Sequence, residues 1–255
     1  MITFAIQEYK GDHMNLDFSF LTQQVPNGEK ATYLDWILSG MGWSVATGFT
    51  AFAIALVIGI GIGVARSRPG ATGKLANGIF EIVRSIPLMS MLFIAYYVVP
   101  AVFFPEAVKH VQFMTLIVIA GVLGLALFTS FRVSSHIYSS LTALAVGQQR
   151  AAQALGFSTW QSYRLVLLPQ AIKQALPSLT NEFLSAVKNT SAISTIGLIE
   201  LSRQTQNIID NTSAIYEPFI VICTCYLIIS GVALMLTRAI EKNGFTQPKL
   251  QKETI

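Results

Sequence analysis

The sequence predicts an all-α membrane protein with five transmembrane helices, and composition is the first reason. Of its 255 residues, 53% are hydrophobic and only 12% are charged, about half the charged share usual for soluble domains. So few charges could not cover the surface of a soluble fold of this size, whereas residues that face lipid need none. Long apolar runs and an uneven distribution of Lys and Arg are the other two reasons.

The first 38 residues are predicted to form an extracytoplasmic segment. They carry several charged side chains and no long apolar core, so they do not have the pattern of a cleaved signal peptide. The first apolar run, at 41–65, is too long for such a signal and would serve as both signal and anchor. As a helix, a run of this length covers roughly 37 Å, enough to cross a bilayer with some tilt.

Four apolar runs stand out, and a fifth is weaker. Inside a bilayer a single segment can satisfy its own backbone polar groups only as a helix. The fifth run contains Asn181, Glu182 and Lys188 among several Ser and Thr residues, so its hydropathy alone does not decide whether it crosses the membrane. The strong runs are 41–65, 79–104, 111–133 and 214–239, and the weak one is 176–201.

The distribution of positive charge favours five crossings. With the N-terminus outside and all five runs crossing, twelve Lys and Arg residues lie in the cytosolic segments and four lie outside. This is the asymmetry that the positive-inside rule expects. Without a crossing at 176–201, the basic C-terminal tail, residues 242–255, would lie on the outer side. We therefore predict a membrane domain at 39–241 and a cytosolic tail.

Small residues within the first and third runs predict close helix packing. Gly59 and Gly63 are spaced four residues apart with Gly61 between them, and Gly121 and Gly124 lie in the third run. Glycine at such spacing lets two helix backbones approach closely in lipid. A dinucleotide-binding loop is excluded because no strand precedes these glycines.

The predicted cytosolic loop at 141–177 carries the most information. Its Ala-rich part at 148–155 favours a helix, and Gly156 can end that helix in a left-handed conformation. Ser158 or Thr159 can cap a second short helix. Pro169 lacks an N–H group, so we expect a break in the chain there.

The spacing of these residues resembles the EAA loop of bacterial ABC import permeases. The flanking segments resemble the polar amino acid branch, including the upstream run Arg84-Ser85-Ile86-Pro87-Leu88 and the downstream run Lys188-Asn189-Thr190-Ser191. The similarity runs from about Met14 to Lys242 and is strongest to glutamate/aspartate permeases; the start, at Met1 or Met14, stays open. The residues that carry the loop resemblance are Gly147, Arg150, Ala151, Ala152, Gly156, Leu168 and Pro169.

The resemblance implies a type I importer permease core in the cell inner membrane, whose loop docks on separate cytosolic ATP-binding subunits. It also implies a second permease subunit, the same or related, and a periplasmic amino acid-binding protein. One departure stands out, because Arg150 occupies the position of the glutamate that names the EAA loop. A further hypothesis is that the translocation path includes Lys188, Asn189, Thr190 and Ser191. The alternative is that Lys188 lies only at the membrane interface.

The residues give no sign of enzymatic chemistry. The phosphate-binding pattern G-x-x-x-x-G-K-[ST] is absent from the sequence, so ATP hydrolysis would need another chain. Neither the three histidines nor Cys223 and Cys225 have metal-ligand spacing, and we expect no cofactor and no nucleic-acid partner. Two alternatives stay open: a secondary transporter driven by an ion gradient, and a membrane scaffold that transports nothing.

Overall fold

The computed structural model describes residues 16–244 except 27, 29, 145 and 213. Within that part of the chain the fold is helical, and the β-type contact is an isolated antiparallel bridge between Gln24 and Thr32. The helices are α1 (Tyr33–Ser67), α2 (Ala71–Arg84), α3 (Leu88–Phe103), α4 (Pro105–Val108), α5 (Phe113–Ala143), α6 (Val146–Ala154), α7 (Thr159–Gln161), α8 (Leu168–Asn189), α9 (Leu201–Asn211) and α10 (Tyr216–Gly244).

Helices α1 and α5 pack along each other at the centre of the molecule. A Cβ atom on Gly59 would lie 2.6 Å from the backbone oxygen of Ser130, and one on Gly63 would lie 2.8 Å from Ile137. Gly61 has no atom within 4 Å of such a position. The predicted close packing of Gly59 and Gly63 is confirmed, and these glycines set the distance between the two helices.

The second predicted run, 79–104, is not one straight helix. Helix α2 ends at Arg84, and α3 begins at Leu88 after a bend of 96°. Pro87 is extended, with φ −61° and ψ 148°, and it disfavours helical conformation in the residue before it. Because α2 exposes an apolar stripe of Leu75, Ile79 and Ile82, it suits a position along a membrane surface.

Three helices of the described residues are long and apolar enough to cross a membrane: α1, α5 and the segment Tyr216–Ala239 of α10. The bent pair α2 and α3 would bring the number to four. The weak run 176–201 begins in the middle of α8 and continues into the 3-10 helix Thr190–Ile196. The chain is therefore a multi-pass membrane protein by length and composition.

The expected break at Pro169 is wrong. Helix α7 leads into a π-helical turn, Ser162–Leu167, and then directly into α8. In this turn the N–H of Leu168 donates to the carbonyl of Tyr163, so the helix is wider in the turn that precedes Pro169. Pro169 is the second residue of α8, so the wider π turn directly precedes the position at which the proline lacks an N–H group.

Three apolar clusters hold the helices together. One lies between α1, α3, α5 and the 3-10 helix Thr190–Ile196, with Leu92, Ile117 and Ile193 fully buried. A second joins α5, the π turn and α8 around Ile137 and Ala171. The third joins α1 to α9 and to the segment before α1. Helix α10 is peripheral, because only 6% of its most apolar window is buried.

Candidate docking loop and polar path

The loop between α5 and α8 folds as two capped helical segments. Gly156 follows α6 with φ +85°. The N–H of Phe157 donates to the carbonyl of Ala152 at 3.1 Å, and the N–H of Gly156 donates to that of Gln153 at 3.0 Å. These two bonds form a Schellman motif, so the predicted left-handed end at Gly156 is confirmed.

Ser158 is the N-cap of α7. Its hydroxyl accepts from the N–H of Gln161 at 3.3 Å, and the Gln161 side chain accepts from the N–H of Ser158 at 2.8 Å. This capping box settles the alternative between Ser158 and Thr159 in favour of Ser158. The sharp turn between α6 and α7 is therefore fixed by the chain's own hydrogen bonds.

Three large apolar side chains of the loop are exposed, and together they are called the apolar loop face: Leu155, Trp160 and Leu165. Their exposed fractions are 78%, 58% and 58%. Arg150 and Ala151 are exposed in the middle of α6, whereas Ala152 is buried. Large apolar side chains grouped on an exposed loop indicate a partner surface.

The other predicted loop residues take different positions. Gly147 is exposed with open space around it, and Pro169 is exposed within α8. Leu168 is partly buried against the cluster around Ile137. One residue of the loop that the sequence analysis missed is the buried Tyr163, whose hydroxyl donates to the carbonyl of Ser67 at 3.2 Å and so ties the loop to the end of α1.

A polar stripe runs along one side of α8. It consists of Gln174, Ser178, Asn181, Ser185 and Lys188, all exposed or partly exposed. Their spacing of three or four residues places them on one helix face. A polar face on a helix at membrane depth has to meet water or protein rather than lipid.

Of the four residues predicted at the end of this helix, only Lys188 lies on the stripe. The Thr190 hydroxyl is buried and donates to the carbonyl of Val187 at 2.7 Å. The Ser191 hydroxyl donates to the carbonyl of Lys188 at 2.9 Å. These bonds close the last turn of α8 where it passes into the 3-10 helix, and Asn189 is partly buried there.

An ion pair links α5 to α8. Arg132 Nε lies 2.6 Å from Glu182 Oε2, Nη2 lies 3.1 Å from Oε1, and His136 Nε2 also lies 3.1 Å from Oε1. The Glu182 side chain is 7% exposed and that of Arg132 is 50% exposed. Helix α5 continues for eleven residues beyond Arg132 to Ala143, so Arg132 lies within a helix and not in the loop that follows it.

A fully buried carboxylate, Glu200, joins three helices. It accepts from the N–H of Arg203 at 2.9 Å as the N-cap of α9, from the Ser44 hydroxyl at 3.2 Å and from the Tyr226 hydroxyl at 3.3 Å. Every donor belongs to a different helix: α9, α1 or α10. The sequence alone gave no reason to select Glu200.

Arg66 is a buried cation at the junction of α1, α2 and α5. Its Nε donates to Asn77 at 2.9 Å and its Nη1 donates to Ser134 at 3.1 Å. Its guanidinium carbon lies 3.4 Å from the ring centre of Phe80 and 4.4 Å from that of Tyr138. The aromatic faces stabilise this charge in place of a carboxylate, and the arrangement fixes α2 against the other two helices.

The residues that the structure describes hold no group of three or more His, Cys, Asp or Glu side chains arranged to bind a metal ion.

Comparison with known proteins identifies relatives along most of the chain. A family model described as "Binding-protein-dependent transport system inner membrane component" matches residues 55–243. The glutamate/aspartate import permease protein GltJ of Escherichia coli (strain K12) is 31% identical, with 90% of this chain and 96% of that protein covered. The nopaline transport system permease protein NocM of Agrobacterium fabrum is 30% identical, over 80% and 86%.

Solved structures show the same architecture. One chain, from a crystal structure of an amino acid ABC transporter with histidines, is 28% identical with a TM-score of 0.69, and 83% of this chain and 95% of that one are covered. An inward-facing MetNI methionine ABC transporter gives a TM-score of 0.70 at 18% identity, with 84% and 98% covered. The second likeness concerns the fold alone.

Proposed function

Since the chain belongs to the family of binding-protein-dependent transport system inner membrane components, we propose that it is the permease subunit of an ABC importer that carries glutamate and aspartate. Transport of polar amino acids as a class follows from the relatives, which are transport permeases rather than enzymes. The choice of acidic amino acids is the finer step. It is supported by the 31% identity to the Escherichia coli glutamate/aspartate permease.

The proposal includes five crossings of the cell inner membrane, with the N-terminus outside and the C-terminus in the cytosol. The charge distribution supports this orientation, and the continuous helix from Thr159 to Asn189 is long enough for a fifth crossing. The polar stripe of α8 then faces the translocation path, and Lys188, Asn189, Thr190 and Ser191 lie at its end. Residues 1–38 and 242–255 form the flanking segments of the membrane domain.

The observation that carries the proposal is the apolar loop face of Leu155, Trp160 and Leu165. It projects from a turn that its own hydrogen bonds make rigid, which is what docking on a separate ATP-binding subunit requires. Arg150 lies on the same loop and would need an acidic or neutral residue on that partner. Helices α6 and α7 with Gly147, Ala151, Ala152, Gly156, Leu168 and Pro169 shape the docking element.

The remaining partners are a second permease subunit and a periplasmic binding protein. The family description supports the binding protein directly. A second permease, the same or related, would pack beside this one and complete the path along the polar stripe. The low burial of α10 leaves ample surface for either lipid or that second subunit.

Truncation of the apolar loop face tests the docking proposal. Leu155→Ala and Trp160→Ala remove side chains that are 78% and 58% exposed, so the permease should still insert and fold. Each is expected to weaken association with the ATP-binding subunit by about 2 kcal/mol, roughly 30-fold. Copurification of the ATP-binding subunit and ATP-driven glutamate uptake in proteoliposomes are the measurements.

Phe104→Ala is the matched control, because Phe104 has the same 58% exposure as Trp160 but lies between α3 and α4. It should leave both measurements unchanged. Wild-type copurification by the two loop variants would contradict the docking proposal. Uptake that ignores ATP and follows a proton gradient would instead favour a secondary transporter.

A further inference from the structure

A small cavity lies at the bend between α2 and α3, against α5. Its volume is about 210 Å³, below the roughly 300–1,000 Å³ of pockets for drug-sized ligands. A ligand no larger than an amino acid would suit it. The side chains that matter for its chemistry are Arg84, Arg132, Ser135, Phe80, Phe128 and Phe131.

The ionisable side chains that line this cavity are both positive. The ion pair of Arg84 with Glu81 is long, at 3.4 Å, and both side chains are more than half exposed, so this surface pair is weak. The Arg84 guanidinium also lies 5.6 Å from the ring centre of Phe80. Arg132 is held by Glu182, which is itself buried and does not line the cavity. Two arginines in a lining without a carboxylate favour an anionic ligand.

Arg132 keeps unused donors toward such a ligand. A guanidinium group has five N–H bonds in a fixed planar fork, and Glu182 contacts only Nε and Nη2. Among the described residues, Nη1 has no hydrogen-bond acceptor. Because Arg132 is half exposed and Glu182 is buried, a ligand can reach the cation without first displacing its partner.

We propose that Arg132 is a specificity-determining residue that binds the side-chain carboxylate of an acidic amino acid on its way through the permease, with Glu182 and His136 as the positioning residues that orient it. This inference rests on the proposed function and names the charge that would select the substrate. The alternative is an ion pair that only holds α5 to α8. The two roles make opposite predictions for the two partners of the pair.

Arg132→Gln and Glu182→Gln both break the same ion pair. If Arg132 recognises the substrate carboxylate, Arg132→Gln should lower the affinity for L-glutamate relative to L-glutamine by about tenfold or more, since it removes charged hydrogen bonds. Glu182→Gln leaves the Arg132 cation free, so it should leave unchanged or raise the ratio of the affinity for L-glutamate to the affinity for L-glutamine. A purely structural pair would make the two variants alike.

The experiment uses the whole permease with its ATP-binding subunits, purified in lipid nanodiscs. Thermal unfolding is measured during titration with L-glutamate or L-glutamine at matched ionic strength, because a ligand that binds only the folded state raises the melting temperature by mass action. Arg203→Gln is the control, an exposed arginine on α9 far along the chain from the cavity. It should leave the ratio of affinities unchanged.

Three results would overturn the proposal: no preference of the wild type for L-glutamate, an unchanged ratio in Arg132→Gln, or an equal fall in both variants. In parallel, ATP-driven uptake is measured with the same wild-type complex reconstituted in proteoliposomes together with its periplasmic binding protein. If uptake occurs and the ratio does not respond to Arg132→Gln, this inference is wrong and the proposed function stands. If the wild type takes up no amino acid with ATP, both are wrong.

Discussion

The contact between α1 and α5 allows a sharp test because two glycines on the same helix differ only in their surroundings. At Gly59 a new Cβ would lie 2.6 Å from the carbonyl oxygen of Ser130, which is 0.8 Å short of the 3.4 Å where ordinary contact begins. The obstructing atom belongs to the backbone, so it cannot rotate away. Gly59→Ala must therefore push the helices apart.

The magnitude follows from a comparison with Gly61→Ala, which meets no atom within 4 Å. Both substitutions gain the same helix propensity of about 1 kcal/mol, so this contribution cancels in the difference. Overpacking at Gly59 costs about 1–3 kcal/mol. At roughly 2–4 °C for each kcal/mol in a chain of this size, Gly59→Ala should melt roughly 2–12 °C below Gly61→Ala.

Thermal unfolding of the two variants, purified in the same detergent and followed by loss of the monodisperse species, measures this difference. The wild type lacks the gain in helix propensity, so it is expected to melt between them or, at the smallest overpacking cost, level with Gly59→Ala. Equal melting temperatures for the two variants would refute the close approach of α1 and α5 at Gly59.

Two further predictions concern local contacts. The methyl group of Gly156→Ala would meet open space, but the substitution strains a backbone at φ +85° by about 1–2 kcal/mol. Amide hydrogen exchange across α6 and α7 should therefore accelerate. Gly147→Ala, whose new methyl group also meets no atom within 4 Å, should slow that exchange. Glu200→Ala removes the acceptor of two hydroxyls and the cap of α9, so it should lower the free energy of unfolding by about 2–4 kcal/mol. Tyr226→Phe should lower it by only about 1 kcal/mol in the same thermal assay, and equal losses would contradict the central role of the carboxylate.

Features that depend on a few adjacent residues could be predicted from the sequence. The left-handed end of α6 needs only Gly156 after an Ala-rich run, and the cap of α7 needs only Ser158 with Gln161. The packing of Gly59 and Gly63 also follows from local spacing. Each of these features is decided by backbone conformation or by side-chain size within one or two turns of a helix.

The two prolines show where local rules stop. Pro87 lies in the sharp bend between α2 and α3, whereas Pro169 lies within a helix that continues past it. The difference is the π turn before Pro169, in which the N–H of Leu168 reaches back to Tyr163. That turn is supported by the buried Tyr163 hydroxyl on Ser67, a contact across 96 positions that local sequence does not reveal.

The polar contacts of the interior were missed for the same reason. Glu182 has its partner 50 positions away at Arg132, and Glu200 has one 156 positions away at Ser44. A hydropathy scale assigns each of these carboxylates an unfavourable value, and it does not indicate which side chain neutralises or hydrogen-bonds the carboxylate. Only the packing of α5 on α8, and of α1 on α9, supplies the partner.

The continuous helix from Thr159 to Asn189 connects the two proposed sites mechanically. Trp160 stands at its loop end, and Glu182 lies about 33 Å farther along at the usual rise per residue. Because no break intervenes at Pro169, a displacement of Trp160 relative to α5 must deform the π turn, bend α8 at Pro177 or move Glu182 against Arg132. Deforming the π turn would disturb the buried Tyr163 and its bond to Ser67. A movement of the loop that is transmitted along α8 as far as the cavity changes the Arg132–Glu182 contact of 2.6 Å.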